Sequence, residues 1–161
     1  MMPGRACYEP VIQLFGEWIV KDDTSLNREA IASIVFEDGE MLKKLDDIIH
    51  PAVKKYILKE IEKSKKEETE FFFIESALLL EEKYDEICDE MWYIYCEKEV
   101  RMERLSHDRG YSDEKIQRMM ANQLPDEEFE ARCDFQLYND EDVAHTYLQI
   151  ERKMRTYYEF M

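Results

Sequence analysis

The run Met91-Trp92-Tyr93-Ile94-Tyr95-Cys96 is the stretch that decides the fold of this chain. It is continuously apolar or aromatic and bounded by charges, which is typical of a strand buried on both faces of a parallel sheet. The run Glu70-Phe71-Phe72-Phe73-Ile74-Glu75 has the same pattern, and Asp134-Phe135-Gln136-Leu137-Tyr138 is a weaker third example. The sequence therefore predicts three short parallel strands.

Helical patterns lie between and after these runs. Apolar residues recur at helical spacing in five segments, at residues 83–88, 98–107, 112–122, 125–133 and 142–158. Strands that alternate with helices of this length indicate βαβ units. We therefore expect an α/β fold that is rich in helix.

The part of the chain before the first run is predicted to be helical. Residues 8–18 fit one apolar helix face that ends near Gly16, and Asn27 and Asp38 are suitable caps for two further helices. The pair His50-Pro51 predicts the start of another helix, because proline fits a first helical position. Three aromatic residues on the apolar faces are predicted to lie in the core: Tyr8, Trp18 and Phe36.

Composition limits the classes of function that the chain can have. Its 161 residues are near the usual size of one domain, and 45% hydrophobic residues suffice for a packed core. A net charge of −16 disfavours nucleic-acid binding, because the overall field repels a phosphate backbone. No apolar run could cross a bilayer and no secretory signal is visible. We therefore expect a cytoplasmic protein without a membrane partner, and free thiols at its four cysteines.

The segment from Glu97 to Arg118 is locally enriched in basic residues. Six basic and six acidic residues balance within it, although the whole chain is strongly acidic. Arg101 and Arg104 are three positions apart and share a helix face, and Arg109-Gly110 then breaks that helix. Two helices joined by a glycine turn, with guanidinium groups on the inner face, would form a lid over phosphates. The alternative is a solvated hairpin with surface ion pairs.

Seven short segments, in order along the chain, carry a further signal. The first three are Gly4 to Gly16, Leu26 to Phe36 and Ile48-Ile49-His50-Pro51. The others are Glu75 to Glu81, Arg104-Leu105 with Arg109-Gly110, Ser112 with Arg118 and Gln123, and Cys133-Asp134 with Tyr138-Asn139. Together they resemble the dephospho-coenzyme A kinase family, whose patterns include D-R-x-x-L-x-x-I-V-F, I-x-H-P and D-x-P-L-L-[FY]-E. The resemblance covers essentially the whole chain.

This resemblance implies both a fold and an activity. The fold would be a three-layer, P-loop-kinase-like α/β fold in a single domain over residues 1–161. A helical acceptor-side region would occupy residues 3–68, and lid helices would occupy residues 97–123. The activity would be the ATP-dependent phosphorylation of the ribose 3′-hydroxyl of dephospho-coenzyme A (dephospho-CoA), which is the final step of coenzyme A biosynthesis.

The opening segment of the family has no counterpart in the sequence. Its P-loop, G-x-x-x-x-G-K-[ST], cradles the ATP phosphates and holds Mg²⁺, and the glycines of this chain do not have that spacing. The acidic D-A-D segment that follows in the family is also missing. We therefore expect the central P-loop strand to be absent, as though roughly forty residues had been removed. We also expect the chain to be inactive by itself.

The resemblance assigns donor-side roles to four side chains. Arg109 and Arg118 are expected to be catalytic, as lid contacts to the ATP phosphates, with a surface role as the alternative. Arg104 is expected to bind substrate in a similar way, or to form a helix-anchoring ion pair. Asn139 is expected to contact the adenine or to order the loop around it, with a turn that caps the next helix as the alternative.

Three further residues are expected to bind the acceptor. His50 would line the acceptor pocket, or would be a capping residue before Pro51. Glu75 and Glu81 would support the site from a strand end, although Glu75 replaces the usual Asp of the family. Gln123 is expected to brace the lid helix. We assign no metal ligand, and ATP and Mg²⁺ are cofactors of the complete enzyme that are not expected to bind tightly to this chain.

Two functions of different classes follow from these patterns. The first is a kinase with dephospho-CoA and ATP as its partners, represented by a chain that lacks its N-terminal segment. The second is a non-catalytic relative that binds a ligand similar to coenzyme A or a protein partner.

Overall fold

Side-chain caps start two of the three helices in the first part of the chain. The Asn27 side chain accepts a hydrogen bond from the Ala30 N–H, and Asp38 accepts from the N–H groups of Glu40 and Met41, so both predicted caps are confirmed. In this computed structural model, which describes residues 2–159, the elements are α1 (Tyr8–Phe15), a 3₁₀ turn (Glu17–Ile19), α2 (Arg28–Glu37) and α3 (Gly39–Lys66).

The chain divides into two units, Met1–Glu75 and Ser76–Met161. In the first unit, α1, α2 and α3 bury one apolar core, whose members are Tyr8, Val11, Phe15, Ile19, Leu26, Ile31 and Leu45. Each such side chain contributes about 1.5–3 kcal/mol when it is fully buried. The helical character predicted for residues 3–68 is thus present, whereas the acceptor-binding role of this region stays a prediction.

Two of the three aromatic residues predicted for this core are exposed. Tyr8 is buried as expected, but Trp18 is 61% exposed and Phe36 is 72% exposed. Trp18 follows Gly16, where α1 has ended, and its indole N–H donates to the Phe15 carbonyl at 2.6 Å. Phe36 is five positions after the buried Ile31, which places it about 140° around α2 from the core-facing side.

The prediction that a new helix starts at His50-Pro51 is wrong. α3 continues through Pro51 for 28 residues, so His50 is a mid-helix residue and not a cap. Proline in a helix interior removes one backbone hydrogen bond and costs about 3 kcal/mol. Apolar residues at helical spacing on both sides of Pro51 keep a single helix in place, because Leu45, Ile48 and Ile49 face the core before it and Ile57 continues the stripe after it.

The strand predicted at residues 70–75 is also not formed. The segment is irregular, with Phe72 42% and Phe73 68% exposed. A strand depends on backbone hydrogen bonds to a neighbouring strand, and the sheet of the described chain consists of only two strands, both from the second unit. The apolar pattern of a buried strand therefore appears here without the strand.

The second unit contains the other two predicted strands, β1 (Trp92–Tyr95) and β2 (Phe135–Tyr138). They pair in parallel, with Trp92 opposite Phe135 and Tyr95 opposite Tyr138. Around them lie a 3₁₀ turn (Tyr84–Glu86), α4 (Lys98–Arg109), α5 (Asp113–Ala121), α6 (Asp126–Arg132) and α7 (Val143–Glu159). The predicted α/β class is confirmed, although the segment predicted as a helix at 83–88 is only a 3₁₀ turn.

The buried residues of the second unit include side chains from both strands and from the helical hairpin: Leu80, Tyr84, Met91, Tyr93, Ile116 and Leu137. Asp134 fixes the start of the sheet, because its carboxylate accepts from the Met91 N–H and its own N–H donates to the Met91 carbonyl, both at 2.8 Å. The four cysteines are free, as expected. Among the helices described between residues 2 and 159, none combines the length and the apolar character needed to span a membrane.

Glu90 anchors α7 to the start of β1. Its carboxylate pairs with Lys153 at 2.6 Å and accepts hydrogen bonds from Trp92 Nε1 at 3.0 Å and from the Tyr157 hydroxyl at 2.6 Å. Burial raises the pKa of Glu90, but the hydrogen bonds from Lys153 and Tyr157 outweigh it and hold the pKa below its ordinary value of 4.5. The anionic form of Glu90 is therefore stabilised by folding.

We expect Glu90→Gln to lower the free energy of unfolding by about 2 kcal/mol at neutral pH, because Lys153 loses its charged partner. Since the folded pKa of Glu90 is lowered, its contribution is fully present above the unfolded pKa and is lost as pH falls through the folded pKa. Urea unfolding between pH 7 and pH 3 should therefore show a smaller loss of stability in the variant than in the wild type.

The matched control for Glu90→Gln is Glu151→Gln on the same part of the chain. Glu151 pairs with Arg155 at 2.5 Å, but both side chains are more than half exposed. An exposed pair of this kind contributes less than about 1 kcal/mol. Equal effects of the two substitutions would contradict the anchoring role of Glu90.

Candidate functional site

The segments that follow β1 and β2 meet just beyond the carboxyl ends of the two strands. The Asn139 N–H donates to the Tyr95 carbonyl at 2.8 Å, which extends the ladder past β2. The Glu97 N–H, just after β1, donates to the Asp140 carboxylate at 2.5 Å. The crevice outside the carboxyl ends of parallel strands is where α/β proteins commonly bind ligands, so this edge is the candidate site.

Arg104 lies against the loop that follows β2. Its guanidinium group donates to the backbone carbonyls of Asn139 at 2.5 Å, Asp140 at 3.3 Å and Glu141 at 3.0 Å. Arg104 thus anchors α4 as expected, but through carbonyl groups and not through the ion pair that the sequence suggested. This contact brings together two of the predicted site residues, Arg104 and Asn139.

The side chain of Asn139 does not cap the next helix. Its oxygen accepts from the Thr146 hydroxyl at 3.4 Å, whereas the Asp142 carboxylate accepts from the His145 N–H at 2.8 Å just inside α7. The alternative in which Asn139 caps the next helix is therefore wrong, because Asp142 caps α7. A contact between Asn139 and adenine stays a prediction.

The helical hairpin predicted as the lid is present as α4 and α5. Gly110 ends α4 in the left-handed conformation, with φ 63° and ψ 27°, and its N–H donates to the Ser106 carbonyl at 3.0 Å. Ser112 caps α5 by accepting from the Lys115 N–H. Ile116 on α5 is fully buried, so the hairpin is held by its inner apolar side while its tip is exposed.

The two arginines predicted to be catalytic lie on different helices of this hairpin. Arg109 occupies the last turn of α4 and Arg118 the last turn of α5, and both are exposed. Within residues 2–159, no hydrogen bond or ion pair engages the Arg109 side chain. An exposed guanidinium group can reach the oxygens of a phosphate group, so the exposure of both arginines is compatible with the roles predicted for them.

Arg101 forms a network that the sequence analysis missed. Its Nη2 lies 3.7 Å from the Asp126 carboxylate, which also accepts from the Tyr93 hydroxyl at 2.6 Å. Burial, followed by this hydrogen bond, raises the pKa of Tyr93, so the phenol stays protonated. The Nε atom of Arg101 is buried and has no hydrogen-bond partner among the described residues. The sequence shows that Arg101 and Arg104 share one helix face. It does not show that Asp126 is the partner of Arg101.

A shallow, open cleft of about 320 Å³ lies beside this network. It is lined by Lys98 and Arg101 from α4, by the last two residues of α5, and by the segment that follows it: Met120, Ala121, Gln123, Leu124, Pro125 and Asp126. Gln123 belongs to this lining, and its N–H donates to the Met120 carbonyl at 3.1 Å. Its backbone thus closes the end of α5, and the bracing role expected for Gln123 stays a prediction.

The three predicted acceptor-side residues stay predictions. His50 is partly buried on α3, with Nε2 3.5 Å from the Asp46 carboxylate. Glu75 is an exposed residue at the end of the first unit, and Glu81 is an exposed residue near the beginning of the second. Neither glutamate is at a strand end, because the strand predicted before them is not formed.

The described residues do not offer a metal site of their own. Between residues 2 and 159, no group of three or more His, Cys, Asp or Glu side chains is placed to hold a metal ion. The chemistry assigned to these residues rests on their cationic and hydrogen-bonding groups.

The sequence of the chain is similar to known kinases along most of its length. Residues 1–145 match the family model of dephospho-CoA kinase. A dephospho-CoA kinase of Aquifex aeolicus is 35% identical over 149 residues, covering 92% of this chain and 74% of the relative. One from Symbiobacterium thermophilum is 30% identical over 154 residues, covering 96% of this chain and 64% of the relative.

Solved structures agree with the sequence comparisons. A crystal structure from Thermus thermophilus matches with a TM-score of 0.73 at 26% identity, covering 92% of this chain and 75% of that one. The fold also matches a dephospho-CoA kinase from Campylobacter jejuni, with a TM-score of 0.65 at 22% identity and 91% and 73% coverage. With the family model matching nine tenths of its residues, this chain belongs to the dephospho-CoA kinase family.

Proposed function

We propose that this chain carries the lid and the acceptor side of an enzyme that transfers the γ-phosphoryl group of ATP to the ribose 3′-hydroxyl of dephospho-CoA. The observation that carries the proposal is the α4–α5 hairpin at the carboxyl edge of a parallel sheet. In a chain with a net charge of −16, it presents Arg109 and Arg118 at its exposed surface. Membership of the family supports the reaction class.

The lid arginines would act on charge that develops during phosphoryl transfer. That transition state spreads negative charge over the phosphoryl oxygens, and catalysis consists mainly of positioning and electrostatic stabilisation. A guanidinium group offers a planar fork of donors that stays protonated at any working pH. Arg109 and Arg118 have this chemistry at the place where the hairpin can meet the phosphates.

The base of the nucleotide would lie against the loop after β2. Asn139 stands at its start, and its side-chain amide can donate to and accept from a heterocycle. Its backbone N–H donates to the Tyr95 carbonyl and its side-chain oxygen accepts from the Thr146 hydroxyl, so the side-chain NH₂ group is the donor that remains for recognition.

The acceptor would be bound by the helical first unit. His50 is its main polar candidate, because it is partly buried on α3 and is oriented by the Asp46 carboxylate. Glu75, at the end of the same unit, would support the bound acceptor by accepting hydrogen bonds from its hydroxyl groups, and Glu81 would contribute a substrate contact of the second unit. The proposal assigns no general base, because the acidic segment that supplies it in the family has no counterpart in residues 1–161.

The identity of the acceptor can be tested with the chain joined to a P-loop segment of the family pattern. We expect ATP and dephospho-CoA to give a product with a new phosphate on the ribose 3′-oxygen, identified by mass spectrometry and by phosphorus NMR. A 3′-deoxy analogue of dephospho-CoA should bind but should not be phosphorylated. Binding of dephospho-CoA without any transfer would instead support the non-catalytic alternative.

A further inference from the structure

We propose that Arg104 is a positioning residue that sets the shape of the loop 139–141 and thereby the recognition of the nucleobase. The inference rests on the proposed function, because it takes the base of ATP as the ligand of this loop. It concerns a residue that acts through the loop backbone and that need not touch the ligand.

The contacts of Arg104 are unusual in number and kind. One guanidinium group donates hydrogen bonds to three successive carbonyls, those of Asn139, Asp140 and Glu141. Its Nη1 also lies 3.8 Å from Cys96 Sγ. Hydrogen bonds that involve a charged group contribute about 1.5–3 kcal/mol each when they are well formed. The loop is thus held at three consecutive peptide groups by one side chain.

This arrangement also decides where the N–H groups of the loop point. In a trans peptide the C=O and the following N–H are nearly antiparallel. Carbonyls turned toward Arg104 therefore turn the N–H groups of Asp140, Glu141 and Asp142 away from α4. Without Arg104, these peptide groups would be free to rotate, and the start of the loop at Asn139 would lose its fixed orientation.

The surroundings of Arg104 favour this use of its charge. Among the described residues Arg104 forms no ion pair, so its charge is balanced by carbonyl dipoles. Burial raises the pKa of the Cys96 thiol, so this neighbour stays neutral and does not pull the guanidinium group away from the loop.

The charge of the loop indicates which part of a nucleotide fits it. Asp140, Glu141 and Asp142 are three consecutive acidic residues, and their field repels phosphate oxygens. The neutral base is the part of ATP that this loop can accept. The phosphates are left to the arginines of the hairpin tip.

Residue-resolved NMR titration of the 161-residue chain with adenosine tests the inference, because it detects weak binding without turnover. We expect millimolar adenosine to shift the amide signals of residues 139–143, and inorganic triphosphate to shift those of residues 109–112.

In Arg104→Ala the dissociation constant for adenosine should rise at least about tenfold, while the amide shifts caused by triphosphate remain. Arg104→Lys keeps the positive charge but not the planar fork of donors, so its dissociation constant for adenosine should lie between those of the wild type and Arg104→Ala. Arg155→Ala, an exposed arginine of α7, is the matched control and should bind like the wild type.

Three results would overturn the inference. They are wild-type affinity for adenosine in Arg104→Ala, wild-type affinity in Arg104→Lys if the alanine variant does not fold, and adenosine shifts of the wild type that lie elsewhere. Phosphate transfer to dephospho-CoA is measured separately, so a protein that transfers phosphate but shows none of these shifts would disprove the role of Arg104 alone.

Discussion

The 161-residue chain, assayed by itself, should release ADP in the presence of dephospho-CoA at least about 10⁴-fold more slowly than the same chain joined to a P-loop segment. Residues 1–161 contain no G-x-x-x-x-G-K-[ST] motif, and the described part offers no cluster of carboxylates for a metal ion. The backbone amides and the lysine that would orient the β- and γ-phosphates are therefore not supplied by this chain. A coupled assay of ADP release measures the difference.

The control for this prediction is a joined protein in which alanine replaces the lysine of the added P-loop. It has the same length and the same added strand. Its activity therefore separates the catalytic effect of the P-loop lysine from the structural effect of adding a strand. We expect it to be nearly as slow as the chain alone. Turnover by the 161-residue chain that depends on dephospho-CoA would show that other residues can replace the P-loop.

In the joined protein, Arg109→Ala and Arg118→Ala should each lower kcat by about 10²-fold or more. Both side chains are exposed on the hairpin, so their removal leaves the core intact and the midpoint of urea unfolding should hardly change. An effect on kcat that exceeds the effect on KM is expected for groups that stabilise charge only in the transition state. Steady-state kinetics with ATP varied at saturating dephospho-CoA give both constants.

Lys115→Ala is the matched control for the two arginine variants. Lys115 is an exposed cation on the same hairpin, and its ammonium group lies 3.5 Å from the centre of the Tyr111 ring. Its removal should change kcat less than about threefold. Wild-type kinetics in both arginine variants would mean that these arginines are surface charges and that the hairpin is not a lid.

The sequence was informative wherever local chemistry decides the structure. Asn27 and Asp38 were recognisable as caps because short polar side chains satisfy the first N–H groups of a helix. The strands at Trp92 and Phe135 and the break at Gly110 also follow from local pattern, in the last case from a left-handed turn that suits glycine. The family resemblance rested on the order of such segments and is confirmed.

Other features depend on partners that local pattern does not reveal. The run Phe71-Phe72-Phe73-Ile74 has the composition of a buried strand, but a strand also needs a neighbour in its sheet. Pro51 looks like a helix start until the apolar stripe on both sides is seen to pack as one helix. Arg104 was expected to pair with a carboxylate, whereas its partners are backbone carbonyls 35 to 37 positions away. Every residue has a backbone carbonyl, so residue type does not identify such partners.

The parallel register of β1 and β2 has a consequence for the order of folding. Met91 and Asp134, which start the sheet, are separated by 43 positions, so α4, α5 and α6 must all be made before the two strands can pair. Closing a loop of this length is entropically costly and slow compared with forming contacts between neighbouring helices. The helical first unit closes its core over a similar separation, because Leu45 of α3 packs with Tyr8 of α1, but all of its residues precede residue 76. During synthesis it should therefore become resistant to protease first, while the sheet forms only after β2 has left the ribosome.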